Sequence, residues 1–140
     1  MLSNRSIPSA TVIPVLSYPD VNQAAEWLCL AFGFTVRLRI GSHRVQMNID
    51  EGAVILRELR DNEAGAQLGV GHSVMIRVDD ADSHYLRAKN HGAIVKEGPV
   101  TYPYGERQYS AEDLAGHSWT FSQSVTDVNP EDWGGVSERL

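Results

Sequence analysis

The chain predicts an α+β fold built from two copies of one unit, and three observations carry that expectation. Short runs such as Phe34 to Ile40 and Ser118 to Ser122 alternate apolar and polar residues, the period of a half-buried strand. Two longer segments, Val21 to Phe32 and about Ala81 to Asn90, each follow an aspartate and run up to a glycine, as helices do. The order of elements also repeats. Asp20 and Asp79 each stand 13 residues before a glycine, Gly33 and Gly92, so the unit recurs at an offset of 59 residues.

Residues 1–9 are polar, with Pro8 near their end, and read as a loose arm. Thr11 to Ser17 is a strand candidate rich in β-branched residues, and Pro14 confines it to an edge or a bulge because proline donates nothing to a ladder. Asp20 is the expected N-cap of the first helix, in which Ala24, Trp27, Leu28 and Ala31 form one apolar stripe; Gly33 stops it. In the next strand Phe34, Val36, Leu38 and Ile40 should face one way, and Thr35, Arg37 and Arg39 the other. Gly41-Ser42 turns the chain into Val45, Met47 and Ile49, and Asp50-Glu51-Gly52 turns it again into a strand from Ala53 to Leu59. These elements place a first module at residues 10–60.

Residues 61–71, with three glycines, read as a linker. The second module, 72–124, repeats the order: a strand from Ser73 to Val78, a helix after Asp79-Asp80 that His91-Gly92 ends, and a strand from Ala93 to Val100. A hairpin closes it, with Arg107 to Ala111 and Ser118 to Ser122 joined at Asp113-Leu-Ala-Gly116. Alternation sets Trp119 and Phe121 on the core face and Ser118, Thr120 and Ser122 on the other. The tail, 125–140, is too short for a module and too turn-rich for a helix; its Trp133 packs on the mouth of the fold or on a partner subunit, or the tail is disordered.

Bulk properties exclude several classes. Lys and Arg number 12 against 18 acids, for a formal charge of −6 with no basic run, which argues against a nucleic-acid partner. No apolar run approaches the roughly 20 residues of a membrane helix, and a single cysteine, Cys29, cannot form an internal disulfide, so a cytoplasmic setting is expected. Cys29 lies mid-helix with no histidine placed to activate it and reads as an inert thiol. Asp79, Asp80 and Asp82 read as a helix N-terminus. Arg107 reads as a structural cation bonding loop carbonyls near the hairpin, and His117 as a hydrogen-bonding turn residue.

Pro103-Tyr-Gly-Glu-Arg107 followed by Asp113-Leu-Ala-Gly-His-Ser-Trp-Thr-Phe121 resembles the closing hairpin of the vicinal-oxygen-chelate superfamily, which includes glyoxalase I, extradiol dioxygenases and the fosfomycin- and bleomycin-resistance proteins. The resemblance spans roughly residues 10–124 and is nearest the bleomycin-resistance branch. It implies two βαβββ modules whose strongly curved mixed sheets surround an open trough, commonly in a homodimer that in some members pairs modules across subunits.

Enzymatic members hold a divalent metal on His and Glu or Asp side chains lining the trough. By resemblance the ligand positions fall near Ile13, near Ser73 with His72 one residue away, on the strand that carries Glu58, and at Thr120. A one-residue slip turns a side chain to the opposite face, and Thr120 offers no carboxylate. The expectation is therefore a protein without metal or other cofactor that binds a flat or amphipathic small molecule, antibiotics among the candidates. Contacts are expected from Arg37, Met47, Met75, Arg77, Tyr102, Tyr104, Tyr109 and Thr120: soft thioethers, rings with hydroxyl tips, and guanidinium groups for an acidic or carbonyl function. The rivals are a metal-dependent glyoxalase-like lyase or isomerase using an unusual ligand set that includes His72 and Glu58, and a structural or regulatory module.

Overall fold

The structure is a computed structural model that describes residues 2–139. Its elements run β1 (Val15–Tyr18), α1 (Val21–Phe32), β2 (Thr35–Ile40), β3 (Arg44–Ile49), β4 (Gly52–Glu58), β5 (Val74–Arg77), α2 (Ala81–Asn90), β6 (Ile94–Val95), β7 (Val100–Thr101), β8 (Glu106–Glu112) and β9 (Ser118–Ser124), with single 3-10 turns at Asp61–Glu63 and Pro130–Trp133. Two mixed sheets result. The first has the order β1-β4-β3-β2, with β1 parallel to β4; the second has β5-β9-β8-β6, with β5 parallel to β9 and β7 also paired to β8. This is the α+β fold of two strand-helix-strand units, open rather than closed into a barrel.

Local chemistry sets both helices. The Asp20 side chain accepts from the backbone N–H of Gln23 and that of Asp80 from Ser83, each filling one orphan donor of a first turn. The second cap is thus Asp80 rather than Asp79, and α2 is two residues shorter than α1. Gly33 closes α1 at φ 78°, a conformation that glycine adopts without strain. No basic residue lies in the last turn of α1; Arg87 of α2 supplies the charge instead, donating to the carbonyls of Leu30 at 2.7 Å and Cys29 at 2.9 Å. Trp27 Nε1 donates back to the His91 carbonyl at 2.8 Å, so the two helix ends hold each other.

One core serves both modules. Val45, Met47, Val54 and Leu56 of the first sheet join Tyr109, Ala111, Trp119 and Phe121 of the second around the buried stripe of α1. Phe32 bridges them, its ring centre 5.7 Å from that of Trp119 and 4.7 Å from that of Phe121. Burial of each large apolar side chain contributes about 1.5–3 kcal/mol, so neither unit would keep this stabilisation without the other. The remaining row of each sheet faces away from the helices.

Three strands differ from those read in the sequence. The β2–β3 register shifts between Val36 and Leu38, a bulge that leaves Arg37 extra. Beyond it Arg39 pairs with Val45 on the helix-facing row and donates to Asn22 of α1, whereas Leu38 and Ile40 pair with Gln46 and Arg44 on the outer row. The expected strand from Ala93 to Val100 is two short pieces, β6 and β7, separated by 96–99; Pro99 has no N–H to offer a ladder. The strand expected from Thr11 begins only at Val15, after Pro14, and forms the sheet edge.

Candidate functional site

The outer row of the second sheet carries the hollow that fits a small molecule. Alternation and register define it: Ser110 lies opposite Thr120, Gln108 opposite Ser122 and Glu112 opposite Ser118, all turned away from the helices. With Ile94, Lys96, Glu97 and Tyr102, all of these residues except Ser122 line a cavity of about 310 Å3, the lower end of the size range of small-molecule sites. Its floor is a hydroxyl and amide surface. Ser110 Oγ and Thr120 Oγ1 share a hydrogen bond at 2.8 Å, Gln108 Nε2 donates to Ser122 Oγ at 3.0 Å, and Ser122 donates to Glu106 at 2.7 Å. Hydrogen bonds from the Ser124 hydroxyl first and then from Ser122 hold the Glu106 carboxyl below its ordinary range.

An aromatic stack forms one rim. The Tyr102 and Tyr104 rings lie parallel with centres 5.4 Å apart, and Trp133 of the tail packs on Tyr104 at 5.2 Å. The Tyr104 hydroxyl donates to Gln108 Oε1 at 3.0 Å, which ties the stack to the floor. Tail and rim are joined at Gly105, whose carbonyl accepts from Val125 N at 2.9 Å. Trp133 remains 46% exposed.

The residues singled out from sequence are scattered over three environments. Thr120 and Tyr102 line the hollow, and Tyr104 backs Tyr102. Met75 and Arg77 share the outer row through pairing with Thr120 and Ser122, but they line the neighbouring groove at the β5 edge; Met75 is 62% exposed and Arg77 donates to Ser124. Arg37 belongs to the outer face of the first sheet. Met47 stands apart from any site, buried on the helix-facing row opposite Val54; Tyr109 is part of the lining of the hollow, although its side chain is buried on the helix-facing row opposite Phe121. The Tyr109 hydroxyl is engaged by Nδ1 of His84, and burial pushes it well above the usual phenol range. Gln108, Ser110, Glu112, Ile94 and Lys96 were missed. The signal for three of them was the alternation itself, since residues paired with Ser118, Thr120 and Ser122 must share their face.

Other expectations resolve as follows. Arg107 is a structural cation, but its partners are the Asp82 carboxylate at 2.9 Å and the Thr101 hydroxyl at 3.0 Å, not loop carbonyls. Cys29 is half-buried, and burial raises its thiol against the opposing pull of Arg39. His117 is buried in the hairpin with Nε2 donating to the Ser17 carbonyl at 2.6 Å; its Nδ1 has no partner.

The residues present do not fit a divalent ion at the positions that the resemblance marks. Thr120 faces the hollow, whereas Glu58 pairs with Tyr18 and so shares the helix-facing row of the other sheet, at its exposed end. His72 lies beside His117, with ring centres 5.9 Å apart, behind the strand rather than over the hollow. Among the described residues no three His, Cys, Asp or Glu side chains gather as a metal site would require.

The first sheet's outer face is covered by the chain itself. Glu63 of the 3-10 turn accepts from Arg57 at 2.8 and 3.0 Å and from Ser17 at 3.0 Å, closing the β1–β4 side. The expected loose arm is instead held on the β2–β3 side: Arg37 donates to the carbonyl of Arg5 and Gln46 to that of Ser6, and Pro8 is buried.

Comparison with known proteins agrees with this geometry. The sequence profile described as Glyoxalase/Bleomycin resistance protein/Dioxygenase superfamily matches residues 11–121. TioX from Micromonospora sp. ML1 is similar in structure with a TM-score of 0.67 and 29% identity, over 86% of this chain and all of that one. The bleomycin resistance determinant encoded on the transposon Tn5 superposes with a TM-score of 0.66 at 16% identity, over 84% of this chain and all of its own, and hypothetical protein SA1046 from S. aureus with 0.64 at 21% identity, over 84% and 94%. The last two share the fold alone. No curated protein sequence matches the chain. No helix among the described residues is long and apolar enough to cross a membrane.

Proposed function

Since the chain belongs to the glyoxalase/bleomycin resistance protein/dioxygenase superfamily, we propose that it is a metal-independent binding protein that holds a flat or amphipathic small molecule in the hollow of its second sheet. One observation carries this reading: at Thr120 the floor presents a neutral hydroxyl bonded to Ser110, and beside it Tyr102 is prearranged by Tyr104 as a stacking surface. Hydroxyl and amide groups fix orientation through hydrogen bonds, and a parallel ring takes a planar face. The centre of the floor is neutral, with the carboxylates of Glu97 and Glu112 elsewhere in the lining, and in this reading the site grips without transforming. The bleomycin resistance determinant among the structural neighbours supports a drug-like ligand.

A second copy of the chain completes the site in this reading. The helix-facing rows of both sheets are used up in the shared core, which leaves both polar rows on the outside. The hollow is open to solvent, and the exposed Met75 and Val15 lie on the free edge strands β5 and β1. Cytoplasmic location fits the lone cysteine.

Titration of the full chain with a panel of aromatic antibiotics, followed by tryptophan fluorescence, tests the proposal. A saturable response is expected, with at least a ten-fold loss of affinity for Tyr102→Ala, and the ligand recovered unaltered by mass spectrometry. A flat response across the panel would remove the binding reading; a modified ligand, together with one equivalent of bound metal, would replace it with the lyase or isomerase alternative.

A further inference from the structure

We infer that Trp133, in the tail, is a positioning residue for the small-molecule hollow: it holds Tyr104, and through Tyr104 the Tyr102 ring on which a planar ligand stacks. The inference rests on the binding reading for its ligand, but not for the relay between the three rings.

Tyr102 is the loosely held member. It lines the hollow and is half-buried, and among the described residues its hydroxyl has no hydrogen-bond partner and its ring no aromatic partner but Tyr104. The backbone beneath it is fixed by the turn from Tyr102 to Gly105, with Pro103 at the second position. Gly105 N–H donates to the Tyr102 carbonyl at 3.0 Å, and Tyr102 N–H to the Glu106 carbonyl at 2.8 Å. A fixed backbone still leaves the side-chain torsions a choice of wells. What selects the orientation of this ring is therefore the parallel face of Tyr104, with 1° between the planes and 5.4 Å between the centres. The free Tyr102 hydroxyl stays available to a ligand.

Tyr104 is itself held at two points. Its hydroxyl donates to Gln108, and Trp133 packs on its ring at 5.2 Å with the planes tilted by 54°. These contacts do different work. A phenol can turn about its long axis without moving its oxygen, so the bond to Gln108 fixes the tip and leaves the plane free. Trp133, packed on the ring, fixes the plane, and that plane is the one Tyr102 copies.

The tail holds this tryptophan in place through its own bonds. Pro130 opens the 3-10 turn that carries it, Asn129 caps the turn through the Glu131 N–H, and Gly135 N–H closes it on the Pro130 carbonyl at 2.8 Å. The Glu131 carboxylate folds the next residues back, accepting from the Ser137 N–H at 2.7 Å and hydroxyl at 3.2 Å. The segment lies beyond residues 11–121, which the family pattern covers, so its contribution to the rim is no part of that pattern.

The test uses the full chain with 3-fluorotyrosine at its five tyrosines, read by fluorine NMR, with Tyr102→Phe and Tyr104→Phe assigning the two signals. Trp133→Ala should move both signals toward the position of a solvent-exposed fluorotyrosine. Trp133→Phe should keep them near their wild-type positions, and so should Val136→Ser, at a tail residue that is 85% exposed. With daunorubicin as the planar probe, followed by its own fluorescence, Trp133→Ala should weaken binding about five-fold, in the range of one aromatic pair, and Trp133→Phe should restore most of it. In a Tyr102→Ala background the same change should weaken binding no further, because the relay has lost its end; a tail that only supports the fold would weaken it equally there. A Tyr102 signal unmoved by Trp133→Ala, or equal affinity losses in the two backgrounds, would overturn the inference. If daunorubicin does not bind the wild-type chain, the binding reading is what fails for this probe, and the Tyr102 signal alone upholds or overturns the relay.

Discussion

The hydroxyl of Tyr18, on the first strand of the first module, donates at 2.5 Å to Oδ2 of Asp113, in the closing hairpin of the second. Both residues are buried. The same carboxylate accepts from Trp119 Nε1 at 3.0 Å through Oδ2, and from the backbone N–H groups of Ala115 and His117 at 3.0 Å through Oδ1. One acid thus closes the hairpin turn, orients the core tryptophan and ties the modules together. Burial first, then the charge of Asp113, pushes the Tyr18 hydroxyl well above the usual phenol range, so it remains a donor at every working pH.

Removing either partner separates these roles. Tyr18→Phe leaves the carboxylate three donors and should cost about 1–2 kcal/mol, the value of one bond to a charged group. Asp113→Ala strands four donors, three of them buried, and should cost about 3 kcal/mol or more. Urea denaturation measures both. A smaller loss for Asp113→Ala than for Tyr18→Phe would contradict the network.

A second expectation concerns pH. His84 is sandwiched in the core, its Nε2 donating to the Phe32 carbonyl at 3.0 Å and its Nδ1 facing the Tyr109 hydroxyl. Burial lowers its pKa; the Phe32 carbonyl opposes that shift and Arg87 reinforces it. The unfolded chain then binds more protons at this site than the folded one, so its contribution to stability rises with pH and begins to be lost as pH falls through about 6.5. His84→Gln should flatten the dependence of the unfolding midpoint between pH 5 and pH 7. An unchanged slope would show that this ring is not the acid-sensitive group.

Much of this molecule is legible in the chain because its signals are local. Asp20, Gly33 and the stripe between them give α1 with both ends right, since a cap needs only residues within one turn. Trp119, Thr120 and Phe121 fall on the correct faces because β9 is regular. The bulge at Arg37 left no mark in the sequence, and everything after it changed face: Arg39 reached the helix and Leu38 the outer row. Met47 and Tyr109 were placed by residue type, but a side chain's face is decided by its partner strand, and theirs are Val54 and Phe121. The docking of the arm depends on residues 32 and 40 positions away, a relationship that no local pattern encodes.

Glu63 offers a second titration, of opposite chemistry and the same sign. The Arg57 guanidinium above all, then the Arg60 N–H, hold its carboxyl at about 2, whereas a free glutamate titrates near 4.5. The unfolded chain binds the proton first, so the contribution of this half-buried pair is present above about pH 4.5 and fades as pH falls toward 2. Glu63→Gln should lower the unfolding midpoint at pH 7 and leave it nearly unchanged at pH 2.5. High salt should shrink the difference, though less than it does for fully exposed charges.

The tail is fastened at Gly105. Its φ is +85°, and a Cβ there would stand 2.3 Å from the Thr126 carbonyl oxygen. Gly105→Ala combines backbone strain with a clash against main chain, for a cost of about 1–3 kcal/mol. Since the contact lies between the tail and the rim, Trp133 should lose its packing on Tyr104. Emission from Trp133, measured with Trp27 and Trp119 replaced by Phe, should shift to the red. A native spectrum would place the fastening elsewhere.

Restoring the acid that metal-binding relatives present gives the sharpest check on the site. Thr120→Glu sets a carboxylate in the hollow, on the row shared with Ser110 and Ser122. A lone carboxylate does not hold zinc, nickel or manganese tightly, because a stable site needs at least three converging ligands. The two other family-position donors are unable to converge: Glu58 belongs to the helix-facing row of the first sheet, and His72 packs beside His117 behind β9. The variant should therefore carry much less than one equivalent of any divalent metal after dialysis and metal analysis. It should also lose affinity for a planar ligand, since the longer charged side chain occupies the floor against which Thr120 now bonds to Ser110. One firmly bound ion per chain, lost again on His72→Ala or Glu58→Gln, would mean that the two faces cooperate in a way this geometry forbids.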